Sequence, residues 1–157
     1  AFWWDRSLEV PPAEAAEILA ALDANGVTQR VQSGDDLGAR MTDALSWGIG
    51  LAGQAIIVGS DCPAVDADYI AKARDGLETA DVVIGPADDG GYVLIGARTT
   101  TDAMLANIDW GTPRAFEQTC NSLEREGLRW QCLEPLWDVD EPEDWARFVS
   151  GGAGSTG

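Results

Sequence analysis

The sequence predicts an α/β fold in which a mostly parallel β-sheet is covered by helices on both faces. The first observation is that mainly apolar runs of strand length recur, at AIIVG (55–59), ADVVIG (80–85) and YVLIG (92–96). Strands buried on both faces have such continuous runs, whereas half-exposed strands alternate. The second is that segments of helix length, with apolar residues at helical spacing, separate several of these runs. With 157 residues, 45% of them hydrophobic, the chain suits a single domain over residues 1–149.

Turn and capping residues mark the ends of the elements. Proline suits a first helical turn and glycine a helix end, so Pro11-Pro12 and Asn25-Gly26 bound the first helix. The acids of SGDD (33–36) can cap a second helix, while Thr112-Pro113 and Pro142 open two later ones. β-rich or apolar runs between polar turns are the strands. In chain order we predict strand 1–4, helix 11–25, strand 27–32, helix 37–53, strand 55–59, helix 66–77, strands 80–85 and 92–96, helices 101–107 and 113–127, strand 128–135, helix 141–149 and a flexible tail at 150–157.

The composition excludes several classes of function. The chain has 27 acidic and 10 basic residues, and a net charge of −17 repels phosphate backbones and anionic membranes. We therefore expect neither nucleic acid nor a membrane as a partner. There is no histidine, so the commonest general base and the Ser-His and Cys-His pairs are excluded. Any chemistry must use carboxylates, a metal ion or the bound substrate.

The location predicted from the sequence is the cytoplasm. No run of eighteen apolar residues could cross a bilayer, and no signal peptide is recognisable. The three cysteines, Cys62, Cys120 and Cys132, lack the spacing of a zinc site or a disulfide framework, and we expect reduced thiols.

Acidic loops follow three of the predicted strands. They contain Ser60-Asp61, Asp88-Asp89-Gly90-Gly91 and Asp138-Val139-Asp140. Ligands of open α/β sheets bind at the carboxyl ends of strands, and carboxylates suit Mg²⁺ or Mn²⁺ with phosphate as a co-ligand. The alternative is structural: Asp61 can cap the helix that follows it, as Asp35 or Asp36 can cap the helix at Leu37, and Asp88 to Gly91 can be an ordinary turn.

Several segments, taken together, resemble a known family. AIIVGSDCPAV, ADVVIGPADDGGYVLIGA, IDWGTPRAFEQT and LWDVDEPEDWARF resemble, in order and spacing, glycosyltransferase-like proteins of the radical-SAM/selenodomain-associated transferase type. That family is related to the nucleotidyltransferases of molybdenum-cofactor dinucleotides and has the nucleotide-diphospho-sugar transferase (GT-A) fold. QSGDDLGARM (32–41) is similar to the family's Gly-Asp-Leu-Gly-Glu-Arg-Met segment, and the resemblance covers about residues 30–149.

The resemblance implies a role for each matching position. Asp61, with Asp138 or Asp140, would hold a Mg²⁺ or Mn²⁺ ion that bridges the nucleotide phosphates, which stabilises a leaving group without histidine. Asp61 and Asp89 would be the catalytic residues. The nucleotide would contact Gly34, Asp35, Arg40 and Ser60, and the acceptor would contact Asp88, Gly90, Gly91 and Tyr92.

The chain departs from the family at its start. Family members begin with a strand and a loop rich in glycine, lysine and arginine, whereas this chain begins at AFWW. We therefore expect a GT-A fold shortened at the N-terminus, in a fragment or in a naturally short relative. Unpaired strand edges would then favour a homodimer. Two functions follow: a metal-dependent transferase acting on a nucleotide-sugar or nucleoside triphosphate, or a non-catalytic relative that serves as a binding or assembly module.

Overall fold

The computed structural model describes residues 1–5, 15–137 and 149. Its elements are β1 (Phe2–Trp4), α1 (Ala16–Ala24), β2 (Gln29–Val31), α2 (Leu37–Ala52), β3 (Ala55–Val58), α3 (Ala67–Gly76), β4 (Val82–Pro86), β5 (Tyr92–Ala97), α4 (Ala115–Arg125) and β6 (Trp130–Cys132). The α/β class is thus confirmed. The predicted start of the first helix, the last helix and the tail at 150–157 lie outside the described residues, apart from Val149.

The main sheet is mixed, so the prediction of a mostly parallel sheet is not confirmed. Its strand order is β3-β5-β4-β6. β5 runs antiparallel to both β3 and β4, whereas β4 and β6 are parallel. The reason is the connection between β4 and β5, which is residues 87–91 only. A hairpin of that length joins antiparallel strands, while a parallel crossover needs a dozen or more residues.

β1 and β2 form a separate parallel pair. The adjacent tryptophans of β1 face opposite sides, as successive strand residues must. The Trp3 ring meets Trp47 of α2 at 5.6 Å, and the Trp4 ring meets Phe2 at 4.7 Å. The Arg30 guanidinium of β2 lies 5.0 Å from the Trp3 ring centre and 4.8 Å from that of Trp47, within cation–π distance. The contacts of Trp3 and Arg30 with Trp47 attach the pair to α2.

Helices cover both faces of the main sheet and form a core on each. Val82 and Ile84 of β4 pack with Leu45 of α2 and Leu123 of α4 in one cluster. Val83 faces the other way and packs in a second cluster with the buried side of α3. The alternation along β4 explains its continuous apolar sequence, because both faces of the strand are buried.

The prediction of a helix at 101–107 is wrong. Residues 102–107 form successive turns, and Asn107 ends them with a φ of 58°. Two apolar residues of this segment, Met104 and Leu105, are buried in the first core cluster. Their pattern therefore reflects burial and not helical periodicity. None of the described helices is both long enough and apolar enough to cross a membrane.

Candidate functional site

Three acid-bearing or anchoring segments meet at one edge of the main sheet. β3, β4 and β6 point the same way, because β5 is reversed between β3 and β4. Their carboxyl ends therefore share an edge. The Gly59 amide donates to the Val93 carbonyl at 3.0 Å, and the Leu136 amide donates to the Pro86 carbonyl at 2.9 Å. The turn after β3, the β4–β5 hairpin and the segment 133–137 are thus neighbours.

Asp61 lies in the turn after β3 and is exposed. The cap of α3 is Asp66, whose carboxylate accepts the Tyr69 amide at 2.8 Å. The alternative that Asp61 caps this helix is therefore wrong. The Asp61 carboxylate instead accepts a hydrogen bond from the Cys62 thiol at 3.3 Å. A carboxylate at a strand end that does not serve as a cap is available to a ligand. Ser60 precedes it, also exposed.

The Asp88-Asp89-Gly90-Gly91 segment is the turn of the β4–β5 hairpin, as its structural alternative proposed. The Asp89 carboxylate accepts the Gly91 amide at 2.8 Å, which stabilises the turn. The Gly90 carbonyl accepts the Phe116 amide at 3.0 Å, which ties the hairpin to the start of α4. The side chains of Asp88 and Asp89 are exposed at the edge.

Gly90 is expected to tolerate no side chain. Its φ is +92°, and a Cβ there would lie 2.7 Å from the Pro113 Cα and would overlap the Pro113 carbonyl oxygen. Gly90→Ala should therefore cost about 2–5 kcal/mol of unfolding free energy, combining backbone strain and overpacking. Gly111→Ala is the matched control, because Gly111 has a φ of +71° but no atom within 4 Å of the added Cβ. It should cost only about 1–2 kcal/mol. Urea unfolding measures both, and equal losses would contradict the proposed contact with Pro113.

The hydroxyl of Tyr92 is buried. Burial raises the pKa of Tyr92 far above its ordinary value. The hydroxyls of Tyr92 and Thr119 both lack a hydrogen-bond partner within the described part of the chain. The Tyr92 ring meets Trp110 edge-on at 6.0 Å. Tyr92 therefore stabilises the β4–β5 hairpin by packing against the first core cluster. Its contact with an acceptor stays a prediction.

The segment 33–36 lies at the start of α2. Asp36 is the cap, since its carboxylate accepts the Ala39 amide at 2.8 Å. Arg40 donates from Nε to the Gly34 carbonyl at 3.2 Å, and Gly34 has a φ of +137°. α2 packs on β3 and is joined to it by a tight turn, so the two run in opposite directions. Gly34, Asp35 and Arg40 therefore lie towards the edge where β3 ends, while their contact with a nucleotide stays a prediction.

Tyr69 is a site residue that the sequence did not indicate. Its hydroxyl donates to the Glu134 carbonyl at 2.7 Å, and Lys72 of the same helix lies 3.5 Å from the Glu134 carboxylate. The ring lies against Gly85 of β4, where a Cβ would come within 2.5 Å of the hydroxyl. Burial, with the nearby Glu134 charge, raises the pKa of Tyr69 to about 12. The sequence feature that could have indicated this close approach is Gly85, a glycine inside an apolar strand.

Asp138 and Asp140 follow this anchored segment in sequence but lie outside the described residues. Within residues 1–5, 15–137 and 149, no three acidic or cysteine side chains are grouped closely enough to hold a metal ion. Asp61, Asp88 and Asp89 therefore do not form a metal centre by themselves. A single carboxylate still fits Mg²⁺, which usually keeps several waters and takes one or two carboxylates together with substrate phosphates.

The comparisons with known proteins agree with this architecture. The crystal structure of a protein from Desulfovibrio desulfuricans G20, named "putative nucleotide-diphospho-sugar transferase", superposes with a TM-score of 0.78 at 29% sequence identity. The match covers 93% of this chain and 64% of that protein, so this chain spans less than two thirds of its length. A search of curated protein sequences found no match to this chain. A bacterial family described as uncharacterised conserved proteins (DUF2064) matches residues 1–112, and the chain therefore belongs to the DUF2064 family.

Proposed function

We propose that this protein is a metal-dependent transferase that acts on a nucleotide-sugar or a nucleoside triphosphate. The observation that carries the proposal is the exposed Asp61 carboxylate at the carboxyl edge of the sheet, which does not serve as the cap of α3. The likeness to a protein named as a nucleotide-diphospho-sugar transferase supports a GT-A relationship. The closer relationship to radical-SAM-associated and molybdenum-cofactor enzymes belongs to the same proposal.

The metal would be held by Asp61 together with phosphate oxygens and water, and Asp138 or Asp140 is the predicted second ligand. When bound, Mg²⁺ or Mn²⁺ supplies charge neutralisation at the pyrophosphate. Mg²⁺ is commonly bound by one or two carboxylates together with substrate phosphates. Asp61 would therefore be the protein ligand around which such a site forms.

The remaining residues of the edge would bind and orient the substrates. Arg40, held by its Nε at the Gly34 carbonyl, would direct its remaining guanidinium donors to the nucleotide. The exposed carboxylates of Asp88 and Asp89 would contact the hydroxyls of an acceptor. We assign Asp89 as the group that accepts a proton from the acceptor, since histidine is absent from the sequence.

Calorimetry of the purified chain tests this function. UDP-, GDP- and CTP-type ligands are titrated with Mn²⁺ and, as the control, with EDTA. We expect at least one nucleotide to bind with Mn²⁺ and to bind at least about tenfold more weakly without it, because the metal neutralises the phosphate charge beside a strongly acidic protein. Failure of every nucleotide to bind to the folded chain would contradict the proposal and would favour the non-catalytic binding or assembly module.

The homodimer and the cytoplasmic location stay predictions. β3 pairs with β5 along one edge, and no pairing of its other edge occurs among the described residues. All four residues of β3 are apolar and only partly buried. An unpaired edge of this kind is the feature that a second copy of the chain would cover.

A further inference from the structure

The Cys62 thiol lies directly behind the Asp61 carboxylate. Cys62 is 8% exposed and belongs to the core cluster that α3 forms with the sheet, where Tyr69 and Val93 are also buried. From this fixed position its Sγ donates to Oδ1 of Asp61 at 3.3 Å. An exposed side chain is thus held by a donor that the core itself immobilises.

Gly59 provides the space for this contact. A Cβ at Gly59 would lie 2.8 Å from Oδ1 of Asp61 and 2.8 Å from Sγ of Cys62. Gly59 does not have a positive φ, so its backbone conformation is open to any residue. Position 59 instead requires a residue without a side chain, because the Asp61 carboxylate and the Cys62 thiol lie close to it at the end of β3.

A thiol is suited to orienting a metal-binding carboxylate. It is neutral, so the full negative charge of Asp61 stays available to a cation, whereas an arginine or lysine partner would compete with the metal. It engages one of about four acceptor sites on the carboxylate and leaves the others free for coordination. Groups that hydrogen-bond to metal ligands in this way restrict their orientation and raise metal affinity about 10- to 100-fold.

We propose that Cys62 is a positioning residue which, with Gly59, holds the Asp61 carboxylate in the orientation that binds the divalent cation of the nucleotide complex. This inference rests on the proposed function, because it assigns a supporting role to neighbours of the proposed metal ligand. The thiol performs no covalent or redox step.

The test compares cysteine variants by calorimetry with a nucleotide and Mn²⁺. Cys62→Ala should weaken Mn²⁺-dependent nucleotide binding about tenfold, as expected for loss of an outer partner of a ligand. Cys62→Ser, which keeps a donor, should recover affinity to within about threefold of the original, by the same reasoning. Cys120→Ala is the matched control, because Cys120 is buried in the other core cluster. It should leave affinity unchanged, even where it lowers the melting temperature.

Gly59→Ala gives an independent test, and it carries the comparison if Cys62→Ala does not fold. It should weaken Mn²⁺-dependent binding about as much as Cys62→Ala, because the added methyl group displaces both groups. Binding by Cys62→Ala and Gly59→Ala at the original affinity, together with loss of binding in Asp61→Asn, would overturn the positioning role and leave the proposed function standing. Absence of Mn²⁺-dependent binding in the unaltered chain would overturn both.

Discussion

Gly38→Ala is expected to destabilise the protein by about 2–4 kcal/mol, although alanine is the better helix former. Gly38 is buried in the first turn of α2, and an added Cβ would overlap the carbonyl oxygen of Leu105. A backbone atom cannot move away as the end of a flexible side chain can. The segment around Leu105 or the start of α2 must therefore shift, and that shift costs more than the gain in helix propensity.

The same helix offers a control that should change stability in the opposite direction. Gly50 lies on the exposed side of α2, and a Cβ there would meet no atom within 4 Å. Gly50→Ala should therefore stabilise the protein by about 0.5–1 kcal/mol, through helix propensity alone. Urea unfolding of both variants measures the difference. Stabilisation by Gly38→Ala would contradict the close packing of α2 that places the segment 33–36 at the ligand edge.

Much of the fold was predictable because burial on both faces leaves a simple pattern. The runs at 55–59, 80–85 and 92–96 became β3, β4 and β5, and the two cores explain why these runs are mainly apolar. The reversal of β5 was not predicted, although the short connection at 87–91 requires it. Apolar content reports burial, whereas strand direction depends on the length of the connection. The turns at 102–107 were missed for the related reason that two buried residues do not establish a helical period.

The site was predictable only in part, because its contacts join residues that are distant in sequence. From the sequence, Asp61 could be the cap of α3, whereas in the structure the cap is Asp66. The bond from the Tyr69 hydroxyl to the Glu134 carbonyl spans 65 positions and leaves no local pattern. Gly85 and Gly59 were visible as glycines, but the groups that require their small size, Tyr69 and Asp61 with Cys62, are known only from the packing.

Asp61→Asn is expected to have the largest effect on function. The amide keeps the size of the side chain but removes the charge that binds the cation. Mn²⁺-dependent nucleotide affinity should fall at least about 100-fold, since loss of a direct ligand should exceed the 10- to 100-fold effect of its outer partners. The unfolding free energy should change by less than about 0.5 kcal/mol, as is usual for an exposed substitution.

Asp66→Ala should give the reverse result. Loss of the α3 cap should lower the unfolding free energy by about 0.5–2 kcal/mol, while Mn²⁺-dependent affinity stays within about threefold. The two acids are five positions apart, between β3 and α3. Comparing the two variants therefore distinguishes ligand binding from helix capping in the same segment.

The most direct test is calorimetric titration of a nucleotide with Mn²⁺ into the unaltered chain, Asp61→Asn and Asp66→Ala, with urea unfolding of the same samples. We predict that Asp61→Asn loses binding and keeps its stability, whereas Asp66→Ala keeps binding and loses stability. Binding by Asp61→Asn at the affinity of the unaltered chain would contradict the assignment of Asp61 as the metal ligand.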